Sequence, residues 1–188
     1  FSRHEGGRWA YRNEWLKEIS QLKKDYPFSY NSNKLPNTNL QDNSIKTQQV
    51  IEQIGLTADL PNTIFTTGVG NHQMMAAQFI RWVRPNSMIT SGSAGVMGSG
   101  LPYAIGVQFA NPDKQVIVID GDGSFNMTMQ DLATIAEHNL PIKIFIMNDS
   151  RQQMVYIWQK LFFDGRIVST ENKNPDYVAL GKSFGIHS

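Results

Sequence analysis

Residues 116–149, VIVIDGDGSFNMTMQDLATIAEHNLPIKIFIMND, decide the fold of this 188-residue chain. The β-branched run at 116–119 is typical of a strand buried on both faces, and the apolar run at 142–147 predicts a second strand. Between them is an amphipathic helical pattern, which begins at the capping-box spacing of Thr128 and Asp131 and ends before Pro141. We therefore expect two parallel strands joined by a right-handed helical crossover. The apolar face of the helix comprises Met129, Leu132 and Ala136.

Two aspartates follow these strands. Asp122 lies in a Gly-Asp-Gly turn after the first strand, and Asp149 comes shortly after the second. Adjacent parallel strands end about 5 Å apart, so both carboxylates are expected within reach of one cation. The helix start near Ser124 is expected to turn free N–H groups toward the same space, which suits phosphate. Mg²⁺ binds through one or two carboxylates plus substrate phosphates, so the pattern predicts a magnesium–phosphate site; an ordinary turn at Gly-Asp-Gly is the alternative.

The rest of the chain continues the alternation of helices and strands. Strands are predicted over 63–67 and 87–90, and helices over 13–26, 46–54, 74–83, 101–110 and 174–182. Such alternation is typical of an α/β fold with a doubly wound parallel sheet and helices on both faces. The Asn-rich stretch 29–43 predicts a loop or linker. We therefore divide the chain into 1–44, the tail of a preceding domain with a helix and a linker, and 45–188, a site-bearing domain expected to be incomplete at its C-terminus.

The composition excludes several classes of protein. The 17 Lys and Arg residues nearly balance the 16 Asp and Glu residues, which does not indicate nucleic acid binding. The absence of Cys excludes a disulfide framework and thiolate chemistry. No apolar stretch is long enough to span a membrane, and the first residues do not resemble a signal peptide. Because the chain begins at Phe1 without Met, we expect an internal segment of a longer protein.

Two glycine-rich loops follow the other predicted strands. In the first, Gly70 lets the backbone approach a ligand, and His72 could donate to phosphate or cap the following helix. The second, residues 92–100, contains Gly98-Ser99-Gly100, which begins like a dinucleotide fingerprint. Tyr103 occupies the place of the third glycine, so we reject a nicotinamide site. Met97 in this loop either fills the core, the commoner role of methionine, or faces a ligand.

The run GDGSFNMTMQDL at 121–132, with Asn148 and Asp149 after the next strand, resembles the thiamine diphosphate motif. Three further stretches look like the catalytic subunit of acetohydroxyacid synthase (acetolactate synthase): TTGVGNHQMMAAQ at 66–78, ITSGSAGVMGSGLPYAIG at 89–106 and MVYIWQKLF at 154–162. EWLKEISQLKKDYPFSY at 14–30 looks like the segment that precedes the diphosphate-binding domain of that family. The resemblance covers nearly the whole chain.

The resemblance implies a thiamine diphosphate- and Mg²⁺-dependent transferase of branched-chain amino acid biosynthesis, with FAD in the full-length enzyme. Such an enzyme decarboxylates pyruvate and joins the remaining two-carbon unit to a second 2-keto acid, pyruvate or 2-ketobutyrate. It implies catalytic roles for Met97, as a wedge under the thiazolium ring, and for the carbonyl of Gly95, as acceptor for the 4′-amino group. The implied metal ligands are Asp122, Asp149 and the carbonyl of Arg151. The implied cofactor-binding residues are Val69, Gly70, Asn71, His72, Gly95, Met97, Gly121, Asp122, Gly123, Ser124, Asp149, Met154 and Val155.

Three positions depart from the family, and a fourth matches a residue of its substrate entrance. Asn71 stands where the family usually has Gln, Asp149 where it has Asn, and Gln153 where it has Gly. Trp158 matches a tryptophan that lines the substrate entrance in the family. By its spacing alone, Trp158 is equally well an aromatic of an amphipathic helix, packed on Leu161 and Phe162.

Two alternative functions stay open. One is another thiamine diphosphate-dependent 2-keto acid decarboxylase or carboligase, against which the segment 9–30 and Trp158 argue. The other is a regulatory domain that binds a magnesium nucleotide, which leaves Met97 without a role.

The resemblance also predicts partners. It implies a homodimer or homotetramer, in which a glutamate in the N-terminal domain of a partner subunit activates the cofactor, and a regulatory subunit as a further partner. We therefore expect the chain alone to be inactive. Its small-molecule partners are 2-keto acids, and neither nucleic acid nor membrane is expected. The location would be cytoplasmic in a bacterium, and the plastid or mitochondrion in a eukaryote.

Overall fold

The computed structural model of the chain describes residues 8–27 and 45–188. The described residues belong to two compact units, the first of which contains helix α1 (Arg8–Asp25). α1 confirms the helix predicted over 13–26 and begins earlier than predicted. Among the apolar side chains of residues 13–26, Trp15, Leu22 and Tyr26 are exposed, and Ile19 is half-buried. The loop predicted over 29–43 and the tail residues 1–7 lie outside the described residues.

The second unit is built on a four-stranded parallel sheet. Its strands are β1 (Thr63–Thr67), β2 (Met88–Thr90), β3 (Gln115–Gly121) and β4 (Lys143–Met147), in the order β2-β1-β3-β4. β3 and β4 are adjacent and parallel, with Gly121 opposite Met147 in the register. The strand–helix–strand unit that was predicted from residues 116–149 is therefore confirmed, and the two predicted aspartates follow neighbouring strand ends.

Seven helices in the second unit surround this sheet along residues 45–188. They are α2 (Thr47–Thr57), α3 (Asn71–Phe79), α4 (Gly100–Ala110), α5 (Asp122–Phe125), α6 (Leu132–Glu137), α7 (Gln153–Phe162) and α8 (Tyr177–Ser183). No helix among the described residues is both long and apolar enough to cross a bilayer.

The core lies on both faces of the sheet because side chains alternate along β3. Ile117 and Ile119 pack with Phe65 of β1 and with buried residues of α2 and α3. Val116 and Val118 point to the opposite face and pack with buried residues of α4, α5 and α6. β3 is fully enclosed, as its continuous β-branched run indicated. The predicted α/β fold, a parallel sheet with helices on both faces, is thus confirmed.

Three local predictions were wrong. The helix expected after β3 is divided into α5, a 3₁₀ turn at Met129–Asp131 and α6. Thr128 does not cap it, because its hydroxyl donates instead to the carbonyl of Gly98 at 2.8 Å.

The other two errors concern helix ends. The helix predicted over 74–83 begins at Asn71 and ends at Phe79, since Ile80 turns to extended backbone and is buried in the core. The helix predicted over 46–54 continues to Thr57, so Gly55 lies inside α2.

Candidate functional site

A cleft of about 780 Å³ opens at the carboxyl ends of the strands. It is lined by the loops that follow β1, β2, β3 and β4 and by the first turns of α3 and α7. Every site residue predicted from the sequence except Trp158 lines this cleft. In a doubly wound sheet this edge is where ligands bind. The cleft is therefore the candidate site.

Asp122 lies at the centre of the polar side of the cleft. Its side chain is 2% exposed, and it is the first residue of α5, immediately after β3. Its Oδ2 accepts hydrogen bonds from the amides of Asn172 at 3.1 Å and Asn174 at 2.6 Å. Oδ1 accepts no hydrogen bond from the described residues. Asp122 therefore keeps one carboxylate oxygen for a cation.

Asp149 follows β4 on the same side. Its Oδ1 accepts from the backbone N–H of Arg151 at 3.2 Å, which closes the turn after the strand. Burial, and then the negative charge of Asp122, raise the pKa of Asp149. A carboxylate whose charge is disfavoured by a neighbouring carboxylate in this way is an arrangement that a bound cation relieves.

Arg151, the third predicted metal ligand, lines the cleft as well. Its guanidinium lies 4.6 Å from the centre of the Tyr156 ring, and its backbone forms an antiparallel bridge with Glu171. The side chain is thus held away as a cation–π partner of α7. Only the backbone carbonyl of Arg151, as predicted, is a candidate ligand.

His72 lies in the floor of the cleft and is 5% exposed. Its Nε2 lies 3.2 Å from Oδ1 of the fully buried Asp120. Asp120 also accepts from the backbone N–H of Gly121 at 2.9 Å. The approach is close: a Cβ at Gly68 would lie 2.1 Å from Asp120 Oδ1, and one at Gly100 would lie 2.9 Å from its Oδ2. Asp120 therefore joins the turns after β1 and β3, a role that the sequence did not reveal.

The loop after β2 carries Gly95 and Met97. Gly95 has φ +63°, a left-handed conformation that favours glycine, and space is open around its α-carbon. Ser91 Oγ accepts from Val96 N–H at 3.0 Å and so fixes the turn between them. Met97 is half-buried, lines the cleft and belongs to neither core cluster. Met97 therefore faces the cleft, the second of the two positions that its sequence allowed.

Ser124 and Gly123 fix the loops on either side of Asp122. Ser124 is 1% exposed, and its hydroxyl accepts from the backbone N–H of Gly98 at 2.9 Å. A Cβ at Gly123 would lie 2.5 Å from the amide nitrogen of Gln152. The Ser124 hydroxyl therefore binds the loop of Met97. The helix start that was predicted near Ser124 is the four-residue helix α5, which begins at Asp122.

Trp158 is the one predicted site residue outside the lining. It lies on α7, is 55% exposed and packs against Phe162 with ring centres 5.1 Å apart. Met154 and Val155, one turn earlier on α7, do line the cleft. Within this unit Trp158 has the packing expected of an amphipathic-helix aromatic.

Four polar residues of the site were missed: Asp120, Asn148, Asn172 and Asn174. Asn148 Oδ1 accepts from Asn174 at 2.8 Å and from the backbone of Ser150 at 3.2 Å. The side-chain partners of Asn172 and Asn174 include Asp122, which follows β3, and Asn148, which follows β4. They are far away in the sequence, and no periodicity links them. The only available signal was position, since Asp120 adjoins Gly-Asp-Gly and Asn174 begins the helix predicted over 174–182.

The donor set fits a hard cation that carries an anionic ligand. Asp122 and Asp149 are oxygen donors, and the described residues contain no cluster of three His, Cys, Asp or Glu side chains. A cation here would complete its shell with carbonyl, water or phosphate oxygens, as Mg²⁺ does. Away from the carboxylates the cleft is lined by Val69, Met97 and Met154, so it suits a ligand with a charged end and an apolar end.

Comparison with known proteins accounts for this arrangement. Residues 68–188 match the family described as thiamine pyrophosphate enzyme, C-terminal TPP binding domain. The mitochondrial acetolactate synthase catalytic subunit of Saccharomyces cerevisiae is 44% identical over 177 residues, which cover 93% of this chain and 25% of that protein.

Two further relatives span other organisms. The mitochondrial acetolactate synthase of Schizosaccharomyces pombe is 43% identical over 93% of this chain and 26% of its own length. The acetolactate synthase of Mycobacterium bovis is 39% identical over 92% of this chain and 27% of its own. The chain spans about a quarter of the length of these curated relatives. With the family match and the cleft geometry together, the chain belongs to the thiamine pyrophosphate enzymes, by way of their C-terminal TPP-binding domain.

Proposed function

We propose that the chain is the cofactor-binding part of an acetolactate synthase. The reaction is decarboxylation of pyruvate, followed by joining of the two-carbon unit to a second 2-keto acid, pyruvate or 2-ketobutyrate. Thiamine diphosphate, when bound, supplies the nucleophilic carbon for this chemistry. The single observation that carries the proposal is the convergence of Asp122, Asp149 and the Met97 loop on one cleft. The names of the relatives support the choice of reaction.

In this proposal the residues of the chain hold and orient the cofactor. Asp122 and Asp149 bind Mg²⁺, with the Arg151 carbonyl as a third ligand, and the cation binds the diphosphate. Backbone at Val69, Gly70 and Asn71, together with Gly121, Gly123 and Ser124, encloses the polar end. Gly95 and Met97 present a carbonyl and a thioether at the other end, where Met154 and Val155 exclude water. His72 acts through Asp120 as a support of this wall, since its imidazole faces that carboxylate.

Further parts of the proposal concern the protein beyond the cleft. We assign 45–188 to the TPP-binding domain and 1–44 to the segment that precedes it. FAD, assembly as a homodimer or homotetramer, a regulatory subunit and Trp158 as a substrate contact follow the resemblance. A cytoplasmic location in a bacterium, or a plastid or mitochondrial one in a eukaryote, follows it as well.

The proposal is tested with the complete natural protein that includes this chain. Purified protein should form acetolactate from pyruvate only when thiamine diphosphate and Mg²⁺ are both present. Acetaldehyde as the sole product would instead indicate a 2-keto acid decarboxylase of the same family. Calorimetric binding of magnesium ATP without binding of thiamine diphosphate would contradict the proposal and favour a regulatory nucleotide domain.

A further inference from the structure

The segment between α7 and α8 contributes directly to the candidate cation site. We propose that Asn172 and Asn174 are positioning residues that hold the Asp122 carboxylate in the orientation in which it binds a divalent cation. The inference rests on the proposed function, and it adds residues that the thiamine diphosphate motif and the family resemblance left without a role.

The contacts at Asp122 define the geometry. Both amides donate to the same oxygen, Oδ2, at 3.1 Å from Asn172 and 2.6 Å from Asn174. Asp122 is 2% exposed, so water competes little for these bonds. Hydrogen bonds to a charged acceptor are short and strong, and two of them on one oxygen fix the rotation of the carboxylate. The other oxygen, Oδ1, is thereby held in a fixed position for binding the cation.

A directed chain of hydrogen bonds fixes the orientation of the Asn174 amide. The Tyr177 hydroxyl donates to Asn126 Oδ1 at 2.9 Å, and Asn126 Nδ2 donates to Asn174 Oδ1 at 3.0 Å. The Asn174 NH₂ group must then face Asp122, and its other hydrogen reaches Asn148 Oδ1 at 2.8 Å. Asn126 and Asn174 therefore each have a single amide orientation that satisfies all of these hydrogen bonds. This chain of hydrogen bonds ends on the Asp122 carboxylate, and the aligned donors stabilise its negative charge.

The same segment is anchored to the loop that carries Asp149. Gln152 N–H donates to the Thr170 carbonyl at 2.7 Å, and Asn172 N–H donates to the Ser150 carbonyl at 2.8 Å. Together with the bond to Asn148, these contacts tie the segment to the loop after β4, and the bonds to Asp122 tie it to the turn after β3. Asn172 and Asn174 therefore set the position of Asp122 relative to Asp149, which is the quantity that a near-octahedral Mg²⁺ site requires.

The test is Mg²⁺-dependent binding of thiamine diphosphate to the complete protein, followed by calorimetry rather than by turnover. Asn174→Leu keeps the approximate size of the side chain and removes the donor; Asn172→Leu is the second variant, in case the first does not fold. Each should raise the Mg²⁺ concentration for half-maximal cofactor binding by about tenfold or more, the usual effect of losing a partner of a metal ligand. At saturating Mg²⁺, the amount of cofactor bound should return to that of the parent.

Asn111→Leu is the matched control. Asn111 donates to the Val107 carbonyl at 3.0 Å at the end of α4, so the same change removes a hydrogen bond elsewhere in the unit. It should lower thermal stability without moving the Mg²⁺ requirement. An equal shift in this control would overturn the inference, because the effect would then be one of stability alone.

The outcomes separate the inference from the proposed function. If the parent binds thiamine diphosphate with Mg²⁺ and Asp122→Ala does not, while both leucine variants keep the parent Mg²⁺ requirement, the inference alone is wrong. If the parent itself binds no thiamine diphosphate, the proposed function fails, and the inference fails with it. A raised requirement in both leucine variants, reversed by excess Mg²⁺, supports it.

Discussion

At the scale of single residues, the two predicted cation ligands are not equivalent. Asp122 is buried and held by two amides, whereas Asp149 is only partly buried and its Oδ1 accepts from a backbone N–H in its own turn. Partial burial, and then the charge of Asp122, raise the pKa of Asp149, so the negative charge of Asp149 is disfavoured. An amide oxygen at position 149 would keep a ligand and remove that repulsion.

We predict that Asp122→Ala weakens Mg²⁺-dependent thiamine diphosphate binding by about 100-fold or more. This is a larger effect than that of losing a hydrogen-bond partner of a metal ligand. Asp149→Asn should keep or improve the affinity, while Asp149→Ala should reduce it. The measurement is a titration of thiamine diphosphate with and without Mg²⁺. Normal binding by Asp122→Ala would mean that the site is elsewhere, and a loss in Asp149→Asn would mean that the charge itself is required.

Tyr177 provides a pH-dependent prediction. Burial, and then the charge of Asp122, raise its pKa from 10.0 to about 12. Because the folded pKa lies above the unfolded one, the unfolded chain loses the proton first, and the free energy of unfolding should fall as the pH rises from 10.0 to about 12. Below this window the group has no such effect.

Tyr177→Phe should remove that alkaline loss, as measured by urea unfolding at a series of pH values. Asp122→Asn should lower the pKa of Tyr177 toward 10.0, because it removes the second cause and leaves burial. Absorbance titration of the phenolate, compared with Tyr177→Phe, reads this shift. An unchanged pKa in Asp122→Asn would show that the two side chains do not interact.

At the scale of elements, α4 offers two glycines with opposite surroundings. A Cβ at Gly100, the first residue of the helix, would lie 2.6 Å from the backbone nitrogen of Gly68 and 2.9 Å from Asp120 Oδ2. A Cβ at Gly106, in the exposed middle of the helix, would meet nothing within 4 Å. Of these two glycines, only Gly100 is therefore required for the contact between α4 and the turn after β1.

Gly100→Ala should lower the free energy of unfolding by about 1–3 kcal/mol, since the backbone must shift to admit the methyl group. Gly106→Ala should raise it by about 0.4–1 kcal/mol, because alanine loses less conformational freedom in a helix. Both values are measured by urea unfolding. Similar effects of the two substitutions would contradict the close packing of α4 on the turn after β1.

The elements show which parts of the structure can be predicted from a sequence. The strands and their order of appearance follow from local pattern, and β1 occurs at the predicted residues 63–67. Helix ends are less predictable where tertiary contacts compete with local ones. Thr128 had the spacing of a cap, but its hydroxyl donates to the Gly98 carbonyl instead. Ile80 was predicted to be helical, but it lies beyond the end of its helix and packs in the core.

The candidate site divides in the same way. Asp122 and Asp149 could be predicted, because parallel strands bring their carboxyl ends to one edge. Asn172 and Asn174 could not be predicted, because they lie 50 and 52 residues from Asp122 along the chain. No periodicity in the sequence connects positions that far apart. Asp120 was hidden for another reason: its function is to fill the space left by Gly68 and Gly100, which only the packed structure reveals.

At the scale of the whole molecule, the cleft lacks one component of the proposed chemistry. Asp122 and Asp149 are the only acidic side chains that line it among the described residues, and both are assigned to the cation. No described carboxyl group is therefore left to exchange a proton with the cofactor at its apolar end, beside Met97. The resemblance places that glutamate in the N-terminal domain of a partner subunit.

We therefore predict that the purified 188-residue chain forms no acetolactate from pyruvate, even with thiamine diphosphate and Mg²⁺ in excess. The complete protein under the same conditions should be active if, as the resemblance implies, a partner subunit supplies the general acid. The measurement is a colorimetric acetolactate assay, with circular dichroism to show that the isolated chain is folded. Turnover by the isolated chain that is lost in Asp122→Ala would mean that the described cleft is self-sufficient, and that the proton donor must be sought within residues 1–188.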